Sequence, residues 1–248
     1  MRTRAIGWIP VILLLVLWQV SVKRGWIDTP ELPALSDVLS AWRSQLSDGT
    51  LTTAIGETLR VMGWGYLAGG AAGFVIGLLM GRFLLVFNLL EPLTELIRPI
   101  PLTAIVPLLV LFLGIGDRLK IVAVAIAVFF PIMLNTAAGV RGVSTVARDT
   151  GRTFRLSSWR EFVEITIPGA SGAIFVGLRL AIAIALIITV FSEMTSGNTG
   201  LGYFVLLSQQ QLDVVNLYVG VLTLAVIGYA LNLALTLIER LVRRWAYL

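Results

Sequence analysis

Six times along this chain of 248 residues the sequence runs for seventeen residues or more with few charges, over 6–22, 57–81, 90–113, 119–140, 169–193 and 216–238. A helix rises about 1.5 Å per residue, so even the shortest run approaches the roughly 30 Å of a bilayer's hydrocarbon layer. Hydrocarbon offers no partner to a backbone N–H or C=O, and a single run satisfies its own backbone only as a helix. The expectation is an all-α integral membrane fold of six transmembrane helices in one domain over 1–248. Composition agrees, with 57% hydrophobic and 13% charged residues against about a quarter charged in a soluble domain. Arg2 and Arg4 precede the first run and no small-x-small cleavage site follows Val20, so that run reads as a retained helix and not a signal peptide.

Positive charge orients the spans. With six spans both termini lie on one side, which holds Arg2, Arg4, Arg82, the five arginines of 141–168, and Arg240, Arg243 and Arg244 in the tail. The other side holds Lys23, Arg24, Arg43, Arg118 and Lys120. Excess lysine and arginine marks the cytoplasmic side, so both termini and the segment 141–168 are expected in the cytoplasm. The net charge of +5 is then topology and not a nucleic-acid footprint. The chain has no cysteine and no histidine, which removes the thiolate and imidazole metal ligands and the commonest general base. Neither a metal site nor most enzyme chemistry is expected.

Within the spans, Gly65, Gly69, Gly73, Gly77 and Gly81 recur every fourth residue and so share one helical stripe. Apolar burial does not drive helices together in lipid, and small residues at this spacing permit the backbone approach that does. The stripe is expected to pack against another helix, of the same subunit or of a second copy. The third run carries Pro92, Pro99, Pro101 and Pro107 and should be an irregular helix facing protein or a water-filled cavity. Between the first two runs, Leu35, Val38, Leu39, Trp42 and Leu46 follow the cap candidates Ser36 and Asp37 at helical spacing, the pattern of a short helix on the outer interface. The turn-rich Ser196–Gly202 and a polar patch through Gln209, Gln210, Gln211 and Asp213 precede the last run.

The segment 141–168 is a polar island between apolar runs, with five arginines and three acids. Ser157 and Ser158 can cap a short amphipathic helix in which Trp159, Phe162 and Val163 share a face, and Pro168 can open the following run at a helix start. A solvated basic loop that only sets topology would not require that apolar face.

The island and its flanks resemble the membrane permease subunit of a bacterial ABC importer, in the nitrate/sulfonate/taurine/bicarbonate branch. That family's cytoplasmic motif is Glu-Ala-Ala, three residues, Gly, then a short helix and Leu-Pro. Counting back from Pro168 lays the acid on Asp149, the alanines on Thr150 and Gly151 and the glycine on Arg155, followed by Leu156, Ser157, Ser158 and Trp159. Arg155 thus replaces the motif glycine; it is expected in an ordinary helical or turn conformation with its side chain toward an acid, Asp149 or one on a partner. RPIPLTAIVPLLVLFLGIG at 98–116, FFPIMLNTAAGV at 129–140, GLRLAIA at 177–183 and SEMTSGNTGLG at 192–202 resemble the branch in the same order. The resemblance implies a type I importer-like fold with a cytoplasmic coupling helix, in a bacterial inner membrane. Its implied partners are a second permease copy as a homodimer, two cytoplasmic ATPase subunits on the islands and an extracytoplasmic solute-binding protein. No G-x-x-x-x-G-K-[ST] loop occurs, so ATP and magnesium are expected on the partner ATPase and no cofactor on this chain.

For the translocation path the candidates are Arg98, Thr103, Asn135, Arg179 and Glu193. Arg98 follows Glu95 by one helical turn, which suits a local pair. Arg179 falls near mid-membrane, where a charge must face protein or water; it either lines the path for an anionic solute or pairs with an acid of another span. Glu193, beside the glycine-rich loop, is a gate or an interfacial residue, and Glu57 and Arg60 suit interfacial anchoring. A secondary transporter would be expected to show internal repeats or intramembrane coupling acids, and a non-transporting scaffold would not need the proline-broken span.

Overall fold

The computed structural model describes residues 9–27 and 29–246. Arg2 and Arg4 lie outside them, as do the side chains of Arg243 and Arg244. The described elements are helical: α1 (Ile9–Lys23), α2 (Leu35–Ser47), α3 (Thr50–Arg82), α4 (Leu84–Ile97), α5 (Leu102–Leu113), α6 (Asp117–Arg141), α7 (Thr145–Thr153), α8 (Ser158–Glu161), a π turn (Phe162–Thr166), α9 (Ile167–Ser196), α10 (Leu201–Gln210) and α11 (Val214–Ala246). Four helical stretches are long and apolar enough to cross a membrane, namely α3, α6, the continuous run Ser158–Ser196 and α11, and the bent pair α4–α5 makes a fifth. The described part of α1 is shorter, at 15 residues.

The centre is a slab of α3, α6 and α9, whose buried face includes Met62, Val124, Val128, Ile132, Ala181 and Ala185. The glycine stripe is the seam of this slab. A Cβ on Gly69 would lie 2.1 Å from the Ala125 carbonyl oxygen, one on Gly73 2.5 Å from that of Phe129, and one on Gly77 2.5 Å from that of Met133. Gly65 and Gly81 meet Val124 and Val140 in the same way. The seam is therefore within one subunit, α3 against α6. On its other face α6 receives α9 through Gly177, where a Cβ would fall 2.7 Å from Asn135 Cβ.

The third apolar run departs most from a simple span. It is two helices meeting at 92°, and α4 begins at Leu84, ahead of the run read as 90–113. Pro99 and Pro101 can neither donate to a helix nor leave their predecessors helical freedom, so the break falls on them, while Pro92 and Pro107 are carried inside α4 and α5.

The structure also settles several smaller expectations. Ser36 and Asp37 do not cap α2, whose N-cap is the extended Ala34; the Ser36 N–H donates to Gln19 Oε1 at 3.0 Å and so ties α2 to α1. One face of α2 packs on the bundle, with Val38 buried and Trp42 Nε1 donating to Thr223 Oγ1 on α11 at 3.0 Å. Pro168 stands in the first turn of α9, as expected of a helix start, but α8, the π turn and α9 follow one another as a single run of 39 residues; the π turn, with the Ile167 N–H reaching back five residues to the Phe162 carbonyl, loosens the spiral where the proline ring would otherwise collide. The helix α10 begins at Leu201, inside the Ser196–Gly202 segment read as turn-rich, and ends at Gln210, inside the polar patch.

Candidate functional site

The island folds into α7 and α8 at the end of the slab that carries Arg82 and Arg141. Ser157 caps α8 as expected, its side chain accepting from the Arg160 N–H. Glu161 is buried, accepts from Thr166 Oγ1 at 3.2 Å and faces Arg82 at 3.9 Å, and Arg82 also lies over the Phe162 ring. Arg148 donates to the Val140 carbonyl and Arg141 stacks on Phe87 at 3.8 Å. These contacts bolt the island to the ends of α3, α4 and α6.

Arg155 reverses the sequence expectation. Its φ is +55°, the left-handed conformation that the motif glycine supplies. The Leu156 N–H closes the end of α7 by donating to the Gly151 carbonyl at 3.1 Å, and the Leu156 side chain lies over Gly151. That pair of contacts is a Schellman end, and it holds the backbone there with or without a glycine. Among the described residues no ion pair of Arg155 is found, while Asp149 has interactions of its own. Thr150 donates to the Val146 carbonyl, so it serves α7.

Fixed in this way, the island presents large apolar side chains outward. Trp159 is 73% exposed, Phe154 76% and Val146 73%. Of the apolar face expected on the island, Trp159 and Val163 are exposed whereas Phe162 is tucked beside Arg82; Leu156 is half-buried on Gly151. Val146 and Phe154 were missed because α7 was not foreseen; Phe154 follows the last residue of that helix and precedes the left-handed Arg155.

A second feature lies at the α4–α5 break. A cavity of about 320 Å³ is lined by Arg98, Asn135 and apolar residues of α4, α5, α6 and α9. It shares Arg98, Leu134 and Asn135 with a neighbouring cavity of about 450 Å³ that also holds Glu91, Glu95 and Arg141. Arg98 and Asn135 are thus brought together as path candidates. Thr103 is exposed on α5 and lines neither cavity.

Arg179 and Glu193 are elsewhere. Arg179 pairs with Glu239 of α11, the acid from another span that the sequence left open. Glu193 is fully buried: it accepts from Thr58 Oγ1 at 2.8 and 3.0 Å and from the Gly202 N–H at 2.8 Å. Thr58 Oγ1 in turn accepts the Leu201 N–H. Gly200, at φ +97°, has its Cβ space filled by the same carboxylate. This knot binds α3, α9 and α10 at the end opposite the island. Arg60 bridges Glu57 and Asp117, so both expected anchors belong to a charge network at that end.

Compared with known proteins, residues 73–246 match the family described as binding-protein-dependent transport system inner membrane component. A permease protein of Escherichia coli (strain K12) named for aliphatic sulfonates transport is 29% identical over 246 residues, covering 98% of this chain and 92% of that protein. The taurine transport system permease protein of the same organism is 29% identical over 248 residues, covering 98% and 90%. Among solved structures, the crystal structure of an amino acid ABC transporter with histidines superposes with a TM-score of 0.59 at 18% identity, covering 82% of this chain and 97% of that one; this likeness is one of fold.

Proposed function

The chain belongs to the family of binding-protein-dependent transport system inner membrane components, and we propose that it forms the translocation path of an ATP-driven importer for a small anionic solute. It is the membrane permease component of such a system, a transport subunit. The observation that carries the mechanism is the unbroken run Ser158–Ser196, a rod of roughly 58 Å that begins in the exposed face of the island and ends in the Glu193 knot. A push on the island is passed along this rod, and through the glycine seam to α3 and α6, because close-packed helices move as bodies and do not yield locally.

In this reading the island and both termini are cytoplasmic, in keeping with the arginine excess on that side. A separate ATPase subunit, which carries ATP and magnesium, docks on Trp159, Phe154 and Val146. Two permease copies sit together, each with its ATPase, and an extracytoplasmic binding protein delivers the solute at the opposite end. Sulfonate- and taurine-type anions are the solute class, supported by the names of the similar permeases and by the arginine at the α4–α5 break.

The test is copurification. Replacing Phe154 and Trp159 with glutamate is expected to abolish recovery of the ATPase with the permease while the chain still inserts and keeps its melting temperature. Unchanged recovery would sink the docking assignment.

A further inference from the structure

The cavity at the α4–α5 break is walled by apolar side chains such as Ile97, Ile100, Leu102 and Phe130, and its polar lining is Arg98 and Asn135. Asn135 Nδ2 donates to the Pro131 carbonyl at 2.8 Å, which holds the amide in place. The guanidinium of Arg98 is held far less firmly. Its ion pair with Glu95 is 3.7 Å long and both side chains are about two-thirds exposed, at 64% and 65%; that separation is beyond hydrogen-bonding distance. Among the described residues Arg98 makes no side-chain hydrogen bond, so its five planar donors are open to an oxyanion, which they match two at a time.

We infer that this chamber is a transit site for an anion with an apolar body, of the alkyl sulfonate kind, in which Arg98 holds the anionic head and Glu95 competes for Arg98 to release it. The inference rests on the importer reading and deepens it. An apolar wall contributes nothing to a bare inorganic anion and favours a solute that brings an alkyl chain to cover it. The place of Glu95 gives the release step. Glu95 lines the neighbouring cavity and not this one, whereas Arg98 lines both. An anion leaving the chamber therefore passes from a wall with one cation to a wall where Glu91 and Glu95 face Arg98 and Arg141, and the carboxylate of Glu95 takes back the guanidinium. A transit site must bind strongly enough to admit the solute and weakly enough to let it go, and a carboxylate one helical turn from the binding arginine supplies that balance.

The experiment is ligand titration by saturation-transfer NMR on the full chain in phosphatidylcholine nanodiscs, with butane-1-sulfonate as probe and butan-1-ol and nitrate as comparisons. Butane-1-sulfonate is expected to bind about tenfold more tightly than either. Arg98→Gln should weaken it by about tenfold, and Glu95→Gln should tighten it by about threefold or more. A loss of fold cannot produce the second effect. The proposal is overturned if Arg98→Gln binds as the native chain does, if Glu95→Gln weakens binding, or if nitrate competes equally. It is also overturned if phosphatidylglycerol nanodiscs abolish binding, because the site would then be a lipid site. ATP-dependent uptake by the assembled transporter separates the two readings. Uptake with binding indifferent to Arg98 removes the transit site alone, and Arg98-dependent binding without any ATP-dependent uptake removes the importer reading alone.

Discussion

Gly69→Ala adds one methyl group where the α3–α6 seam is tightest. The new Cβ would lie 2.1 Å from the Ala125 carbonyl oxygen and 2.6 Å from the Ala125 Cα. An unstrained carbon–oxygen contact is about 3.3–3.6 Å, so the two helices must separate by roughly 1.3 Å at this point. Both offending atoms are backbone, and no side chain can swing aside. The stripe from Gly65 to Gly81 occupies about 24 Å of helix axis, so a wedge at Gly69 also lifts the contacts at Gly65 and Gly73. Overpacking typically costs about 1–3 kcal/mol, and with rigid backbone on both sides the expected cost is about 3 kcal/mol. Gly63, on the same helix, is the control: among the described residues nothing lies within 4 Å of its Cβ position, and Gly63→Ala should be neutral or gain up to about 1 kcal/mol in helix propensity. Thermal unfolding of the full chain in nanodiscs reads the difference. At about 2–4 °C per kcal/mol, Gly69→Ala should lower Tm by about 6–12 °C while Gly63→Ala leaves it unchanged or raises it. Equal shifts would refute the close-packed seam and, with it, the rigid slab that transmits force.

Two other perturbations probe the ends of the rod. Arg155→Gly removes a side chain from a left-handed residue at φ +55° and should stabilise the island by about 1 kcal/mol, read as slower amide exchange in α7; faster exchange would show that the Arg155 side chain itself holds the turn. Thr58→Val keeps the shape of a fully buried residue but leaves the Leu201 N–H without its acceptor and Glu193 with the Gly202 N–H as its remaining donor among the described residues, a cost of about 1–3 kcal/mol. Amide exchange across α10 should quicken by about tenfold, and unchanged exchange would mean that the knot does not secure α10.

How much of this could be read in the sequence depends on where each constraint resides. The glycine stripe announced a close approach because the stripe itself must be small. Its partner could not be named, since α6 meets it largely through the carbonyls of Ala125, Phe129 and Met133, and carbonyls leave no mark in a sequence. The prolines foretold a broken third span; they do not specify the 92° angle between its halves. Arg155 misled because the hydrogen bond from Leu156 to Gly151 imposes the left-handed turn, and that bond depends on an unforeseen helix. Glu193 was singled out, but its partner Thr58 lies 135 residues away. The available signal was the spacing of Gly200 and Gly202, the first a glycine because the carboxylate fills the space a Cβ would need and the second because the Val190 carbonyl oxygen does. Of the path candidates, Arg98 and Asn135 meet at one cavity, whereas Arg179 turned to Glu239, an acid whose reach across to α9 only the tertiary fold reveals.

The central claim is that this chain moves an anionic solute only when coupled to an ATPase. The most direct measurement is uptake of radiolabelled taurine or ethanesulfonate into proteoliposomes that hold the permease, with the ATPase and the binding protein added or omitted. The account predicts uptake that needs all three proteins and ATP, and that is lost in the Phe154→Glu, Trp159→Glu double variant. Uptake by the permease alone, driven by an ion gradient and indifferent to ATP and to the island variant, would contradict it.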